Sequence, residues 1–165
     1  MATKSMEMEQ VNIGLDEKDT KALNELLNVL LADEHVLYVK TRNFHWNMRG
    51  MDFMELHELL DAHYNSLQEI SDQIAERSRM LGAHPLGSMG QFLEKTRLTE
   101  EGDPTLATET MLEKLVADHE SIIRSLREDI AAAADEYGDE GTADLLIGTL
   151  REHEKMAWML RSFLK

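Results

Sequence analysis

The run Asn43-Phe-His-Trp-Asn-Met-Arg-Gly50, followed by His57, Asp61, Asp72 and Glu76, gathers the side chains of this sequence best suited to metal chemistry. Two imidazoles and three carboxylates form a donor set that holds a hard or borderline cation such as Fe(II) and also tolerates Fe(III). There is no cysteine among the 165 residues, so thiolate sites, disulfides and cysteine nucleophiles are excluded. The same absence disfavours a structural zinc site. A metal site with few protein ligands keeps open positions for water and an oxidant.

Spacing says how many chains must build such a site. On a helix advancing about 100° and 1.5 Å per residue, with His57 at zero, Asp61 falls at roughly 40°, Asp72 at roughly 60° and Glu76 at roughly 100°. The apolar stripe of the same segment centres near roughly −80°, so the candidates lie on the flank of the core face. Asp61 and Asp72 are about 16 Å apart along the axis, far beyond the reach of ~2 Å metal–ligand bonds. One copy of the helix cannot bring both pairs to one ion. A second, antiparallel copy can: the two-fold axis that opposes residue 57 to residue 76 also opposes 61 to 72, which creates two equivalent sites per dimer. His45, at the end of the preceding helical segment, can add another nitrogen. Histidines and acids four apart are common on solvated helix faces, and each pair alone usually means nothing more. The shared register is what favours the metal.

Four long helical patterns position these residues. The first spans about 19 to 46, with Leu23, Leu26, Leu27, Leu30, Leu37 and Phe44 near a 3.6-residue period. Asn47-Met-Arg-Gly50 breaks it, and a second pattern runs from about 52 to 81 through Phe53, Leu56, Leu60, Tyr64, Leu67, Ile70 and Ile74. Pro85 and its glycine neighbours make a turn cluster. A short helix is expected over about 89 to 98, a third long helix over about 105 to 135, and a last one over about 142 to 164. No strand alternation and no internal repeat are present. The pattern predicts an all-α fold, a four-helix bundle with a short extra helix in the long connection between helices 2 and 3. Residues 1–18 read as a flexible N-terminal tail and 19–165 as the single bundle domain.

Composition narrows the function classes. Hydrophobic residues make up 42% and aromatics only 5%, which suits one helical domain with a real core. The 32 acidic and 17 basic residues give a net charge of −15, a surface that repels nucleic acid and attracts cations, although solubility alone explains most acidic proteins. No apolar run reaches about 18 residues and the N-terminus has no signal-like apolar core, so the expected location is cytoplasmic.

The series His45-Trp-Asn, His57-Glu-Leu-Leu-Asp61 and Asp72-Gln-Ile-Ala-Glu-Arg77, with Phe53, Leu81-Gly82, Thr142-Ala-Asp144 and Trp158, resembles the Dps family of ferritin-like proteins, the DNA-binding proteins from starved cells or miniferritins. The likeness spans about residues 20 to 164. It implies a twelve-subunit shell of two-fold dimers, with ferroxidase sites shared between subunits: His45, His57 and Asp61 from one chain, Asp72 and Glu76 from its neighbour. It also implies oxidation of Fe(II), usually with hydrogen peroxide in preference to dioxygen, and storage of ferric mineral inside. Iron is then substrate and cargo, and removal of iron with peroxide protects against oxidative damage. The competing function is a nucleoid-associated protein that coats DNA, with iron chemistry secondary; an inert helical oligomer is the third.

Other residues are weighed in the same light. Asp135, Glu136, Asp139, Glu140 and Asp144 cluster where the last two helices meet. A charged turn is usually just solvated, but the resemblance implies a three-fold pore for iron entry there, with Asp144 the best match and Glu140 second. Trp46 and Trp158 correspond to aromatic positions near the family's site; core packing is assigned to both, with electron donation the alternative. His63 points toward the apolar stripe and reads as a packed residue, and His35, His119 and His153 have no motif partner. The eleven methionines read as core filler, not as haem or soft-metal ligands.

Overall fold

Five α-helices form the fold, and no strand occurs among the residues described, 8–164, in this computed structural model. They are α1 (Glu17–Asn47), α2 (Phe53–Met80), α3 (Met89–Lys95), α4 (Thr108–Ala131) and α5 (Glu140–Arg161), with a π-helical turn (Ala132–Glu136) after α4. None is long and apolar enough to cross a membrane. The four-helix bundle with a short extra helix is the expected architecture. The tail's first seven residues lie outside the described part. Further along, the Glu9 N–H donates to the Gly82 carbonyl at 2.7 Å and Leu15 packs against the core.

Two hairpins, α1–α2 and α4–α5, stack against each other, with α1 beside α4 and α2 beside α5. The start of α4 lies at the end of α1, where the Thr108 hydroxyl donates to the Arg49 carbonyl at 2.6 Å. The start of α5 lies at the end of α2, where Arg77 pairs with Asp139. The connection from α2 to α4 therefore travels the length of the bundle, and α2 and α4 run parallel. It is pinned midway: Asp33 of α1, buried, accepts from the Thr96 hydroxyl and from the backbone and guanidinium of Arg97. A carboxylate in the core is tolerable because its lone pairs are filled this way.

Leu23, Leu27, Leu30, Phe44, Leu60, Leu67, Ile74, Leu115, Leu126, Leu146 and Leu160 fill the interior. Helix ends follow from local chemistry. Gly82 closes α2 with φ +83° and lies so close to the tail that a Cβ would collide with the Glu9 carbonyl. Asp139 caps α5 by accepting from the Thr142 N–H at 3.1 Å, which starts that helix two residues before the expected point. The third long helix starts later than expected, because Asp103 accepts from both the N–H and the hydroxyl of Thr105 in a preceding turn.

The two tryptophans correct the expectation of core packing. Trp46 is 62% exposed and Trp158 61% exposed on the single chain. Their neighbours Phe44 and His45, and Met156, Ala157 and Leu160, take the inward positions. Val39, Phe53, Met54, Met89 and Leu93 are exposed as well, and large exposed apolar side chains mark surfaces suited to covering by other chains.

His63 is buried, as its place on the apolar stripe predicts. Burial pushes its imidazole down to about 4, and pushes that of fully buried His119 well below the ordinary value. Both rings bind protons more readily in the unfolded chain, so acid favours unfolding. This stability is complete above about pH 6.5 and is lost as the pH falls toward 4, with roughly 3 kcal/mol per chain coming from His63. Denaturant midpoints measured in chelator from about pH 7.5 to about pH 4.5 should fall steadily, and His63→Leu should flatten the slope. A native midpoint independent of pH across that range contradicts neutral burial.

Candidate metal centre

His45 lies in the last turn of α1 and His57 in the second turn of α2, and the tight connection between the helices brings them face to face. Their rings stack with centroids 3.7 Å apart and planes 17° from parallel. His45 Nδ1 lies 2.9 Å from the His57 carbonyl oxygen, and His57 Nδ1 lies 3.0 Å from that of His45. A carbonyl only accepts, so both Nδ1 atoms carry protons and both Nε2 atoms are left with bare lone pairs. That tautomer, with the second nitrogen tied to a backbone carbonyl, is the one metal-ligating histidines use. Phe53 covers the other side of His57 at 5.1 Å, which limits ring rotation.

Asp61 sits one turn beyond His57, half-buried, and is held by two neighbours. The Tyr64 hydroxyl donates to its Oδ1, and Asn65 Nδ2 donates to its Oδ2 at 3.2 Å. The bond to Asp61 raises the Tyr64 phenol above its usual range. The Tyr64 ring also meets His45 edge-on at 5.3 Å, so it braces both candidate ligands. Behind it, the Arg42 guanidinium packs against Tyr38, Tyr64 and Trp46 at 5.6, 5.2 and 5.0 Å. Sequence reasoning missed Tyr64 and Arg42. The signal was present: Tyr38, Arg42 and Trp46 recur at i, i+4, and Tyr64 stands three residues after Asp61.

Asp72 and Glu76 lie farther along α2, both exposed. Asp72 lines a groove of about 330 Å³ with Leu31, His35, Tyr38 and Phe92. Among the described residues, no three His, Asp or Glu side chains of one chain converge to hold an ion. The structure thus brings His45 and His57 together and leaves Asp72 and Glu76 apart from them. The acids near the start of α5 divide in two. Asp139 is buried, receives a bidentate contact from Arg77 at 2.7 and 2.8 Å, and caps the helix. Burial opposes its charge, but the bonds from Thr142 and Arg77 outweigh that and hold its carboxyl below the usual carboxylate range. Glu140 and Asp144 are exposed one turn apart.

Residues 24–165 match the model of the ferritin-like domain. The chain is 45% identical over 158 residues to a low temperature-induced protein of Nostoc sp., covering 96% of this chain and 88% of that one. It is 38% identical over 144 residues to DNA protection during starvation protein 2 of Bacillus anthracis, covering 87% and 97% respectively. The crystal structure of the Dps protein from Vibrio cholerae O1, described as a ferritin-like diiron-carboxylate protein, superposes with a TM-score of 0.89 at 36% identity, covering 98% of this chain and all of that one. The chain belongs to the ferritin-like family and, within it, to the Dps miniferritins.

Proposed function

We propose that the protein oxidises Fe(II) at sites shared between two chains and stores the ferric product inside a twelve-chain shell. The observation that carries this reading is the reciprocal His45–His57 arrangement, which stacks two imidazoles and leaves the Nε2 atom of each without a protein partner. Asp61 adds a braced carboxylate one turn away. The exposed Asp72 and Glu76 of an antiparallel neighbour complete the donor set, in the register that opposes residues 57 to 76 and 61 to 72. The apolar side chains exposed on α1, α2 and α3 support a partner on that side.

Iron is the substrate. With hydrogen peroxide as oxidant, two Fe(II) each lose one electron, and the peroxide O–O bond breaks, taking up two protons to give two waters. Dioxygen is the alternative oxidant. The role of the chain is to bind and orient the metal: neutral imidazoles and carboxylates accept Fe(II), and the carboxylates favour the Fe(III) product. Three copies of Glu140 and Asp144 around an axis would concentrate cations at an entrance, as carboxylate rings do elsewhere.

Light scattering should give twelve chains of 18.9 kDa, roughly 227 kDa; an active monomer defeats the shared site. Replacing His57 and Asp61 together by Ala should slow Fe(II) oxidation, followed optically, by about a hundredfold or more while sparing assembly. A chain lacking His57 and Asp61, mixed with one lacking Asp72 and Glu76, should regain one intact site per mixed dimer. Verified mixed dimers without recovered activity rule out ligands shared between chains.

The relative named for DNA protection raises the second reading, a protein that coats DNA. Charge argues against it. Residues 1–18 hold two lysines, Lys4 and Lys18, against Glu7, Glu9, Asp16 and Glu17, and phosphate binding gains only where cations cluster. We infer that any protection comes through iron. Plasmid mixed with micromolar protein in chelator and low salt should show no gel shift; a clear shift would reveal a basic patch made by assembly.

A further inference from the structure

The members of the donor set are anchored unequally. His45 and His57 are fixed by bonds to backbone carbonyls. The Asp61 carboxylate is held only by side chains of its own helix: the Tyr64 hydroxyl at Oδ1 and Asn65 Nδ2 at Oδ2. Asn65 is exposed, its bond to Oδ2 is 3.2 Å long, and the same amide lies closer, at 2.9 Å, to the Asp61 backbone carbonyl. Tyr64 is the firmer hold.

Tyr64 is itself confined. Its ring meets Tyr38 edge-on at 6.1 Å, and the Arg42 guanidinium lies 5.2 Å from its centre. Arg42 is tied in turn to the Tyr38 hydroxyl, to which its Nη1 donates at 2.9 Å. On another side the Tyr64 ring meets His45 edge-on at 5.3 Å. One residue therefore touches two of the candidate ligands, Asp61 of α2 through its hydroxyl and His45 of α1 through its ring.

We propose that Tyr64 is a positioning residue of the shared site: its hydroxyl orders the Asp61 carboxylate for the substrate ion, and its ring keeps that carboxylate in register with His45. This rests on the ferroxidase reading above.

Two effects of the hydroxyl oppose each other. Donation to Oδ1 draws electron density from that oxygen and weakens it as a ligand. It also ends the rotation of a half-buried side chain whose carboxylate torsion is otherwise broad. An unheld Asp61 must be ordered as the ion binds, which costs affinity. Oδ2, with only the long Asn65 bond, stays the freer oxygen, so the loss falls on the atom less needed and the gain in order prevails. Hydrogen bonds to ligating carboxylates typically contribute about tenfold to a hundredfold in metal affinity or activity.

The test uses the full-length assembled protein, with Co2+ binding followed by calorimetry in the absence of iron. Tyr64→Phe keeps the ring against His45 and Arg42 and removes only the hydroxyl. It should weaken Co2+ binding by about tenfold and slow Fe(II) oxidation by a similar factor. Asp61→Ala should weaken binding too, and adding Tyr64→Phe to it should change nothing further, because no carboxylate is left to position. If Tyr64→Phe does not fold, Tyr64→Gln and Tyr64→Leu repeat the comparison. The glutamine amide can donate to a carboxylate one turn away, so that variant should bind Co2+ the more tightly. An Asp61→Ala protein with unchanged Co2+ affinity overturns the donor set and this inference together. With an effective Asp61→Ala, the positioning role alone is overturned by a Tyr64→Phe protein that binds normally, by an equal loss in both backgrounds, or by equal affinities of the Gln and Leu variants.

Discussion

The exchange of hydrogen bonds between His45 and His57 is the interaction on which the α1–α2 hairpin and its surface chemistry both depend. His45 stands in the last turn of α1, where carbonyl groups have run out of helical N–H partners. His57 Nδ1 fills the vacancy at the His45 carbonyl, and His45 Nδ1 returns the bond to α2. The rings thereby act as an end-cap for α1 and a clasp on α2 while being locked in one tautomer. A glutamine could supply the same donor to a carbonyl, but no second lone pair in a fixed plane. The imidazole serves structure with one nitrogen and leaves the other without a protein partner.

Long-range polar contacts then set the rotation of each helix. Arg77, adjacent to Glu76, turns inward to Asp139 and to the Thr142 hydroxyl at 2.9 Å. With residue 77 tied to the start of α5, Glu76 and Asp72 are carried outward to solvent, where a neighbour can meet them. Lys40 and Asp118 join α1 to α4 in a similar way, both largely buried. Ion pairs of this kind add little net stability, since desolvation offsets their attraction, but a mispaired alternative would strand a charge. Their main effect is to select one packing.

Periodicity and punctuation made the helices legible, because a leucine stripe at a 3.6-residue period and a Gly or Pro break depend only on local sequence. The crossover was legible for the same reason, being the only long interval between helical stripes. Helix starts near 105 and 142 were misplaced by two or three residues, where Asp103 and Asp139 accept bonds that propensity cannot foresee. The tryptophans were misjudged because burial area was credited to residue type, whereas the helical phase gives the inward position to Phe44 and His45. His119 and His153 were illegible as partners. They lie 34 residues apart on different helices, and no motif encodes a contact that exists only once the hairpins stack.

Two pairs of histidines in one chain show how the partner of the second nitrogen decides what the first can do. In the His45–His57 pair, one ring buried and the other half-buried, the partners are backbone carbonyls, neutral dipoles that fix orientation without adding charge. Asp61 stands one turn beyond His57 on the same helix. In the core, the partner of His119 is His153 backed by Glu34. Solvent is excluded there, and a carboxylate lies within hydrogen-bond reach of the second ring. The two pairs thus differ in what stands behind them: a peptide dipole in one, a carboxylate in the other.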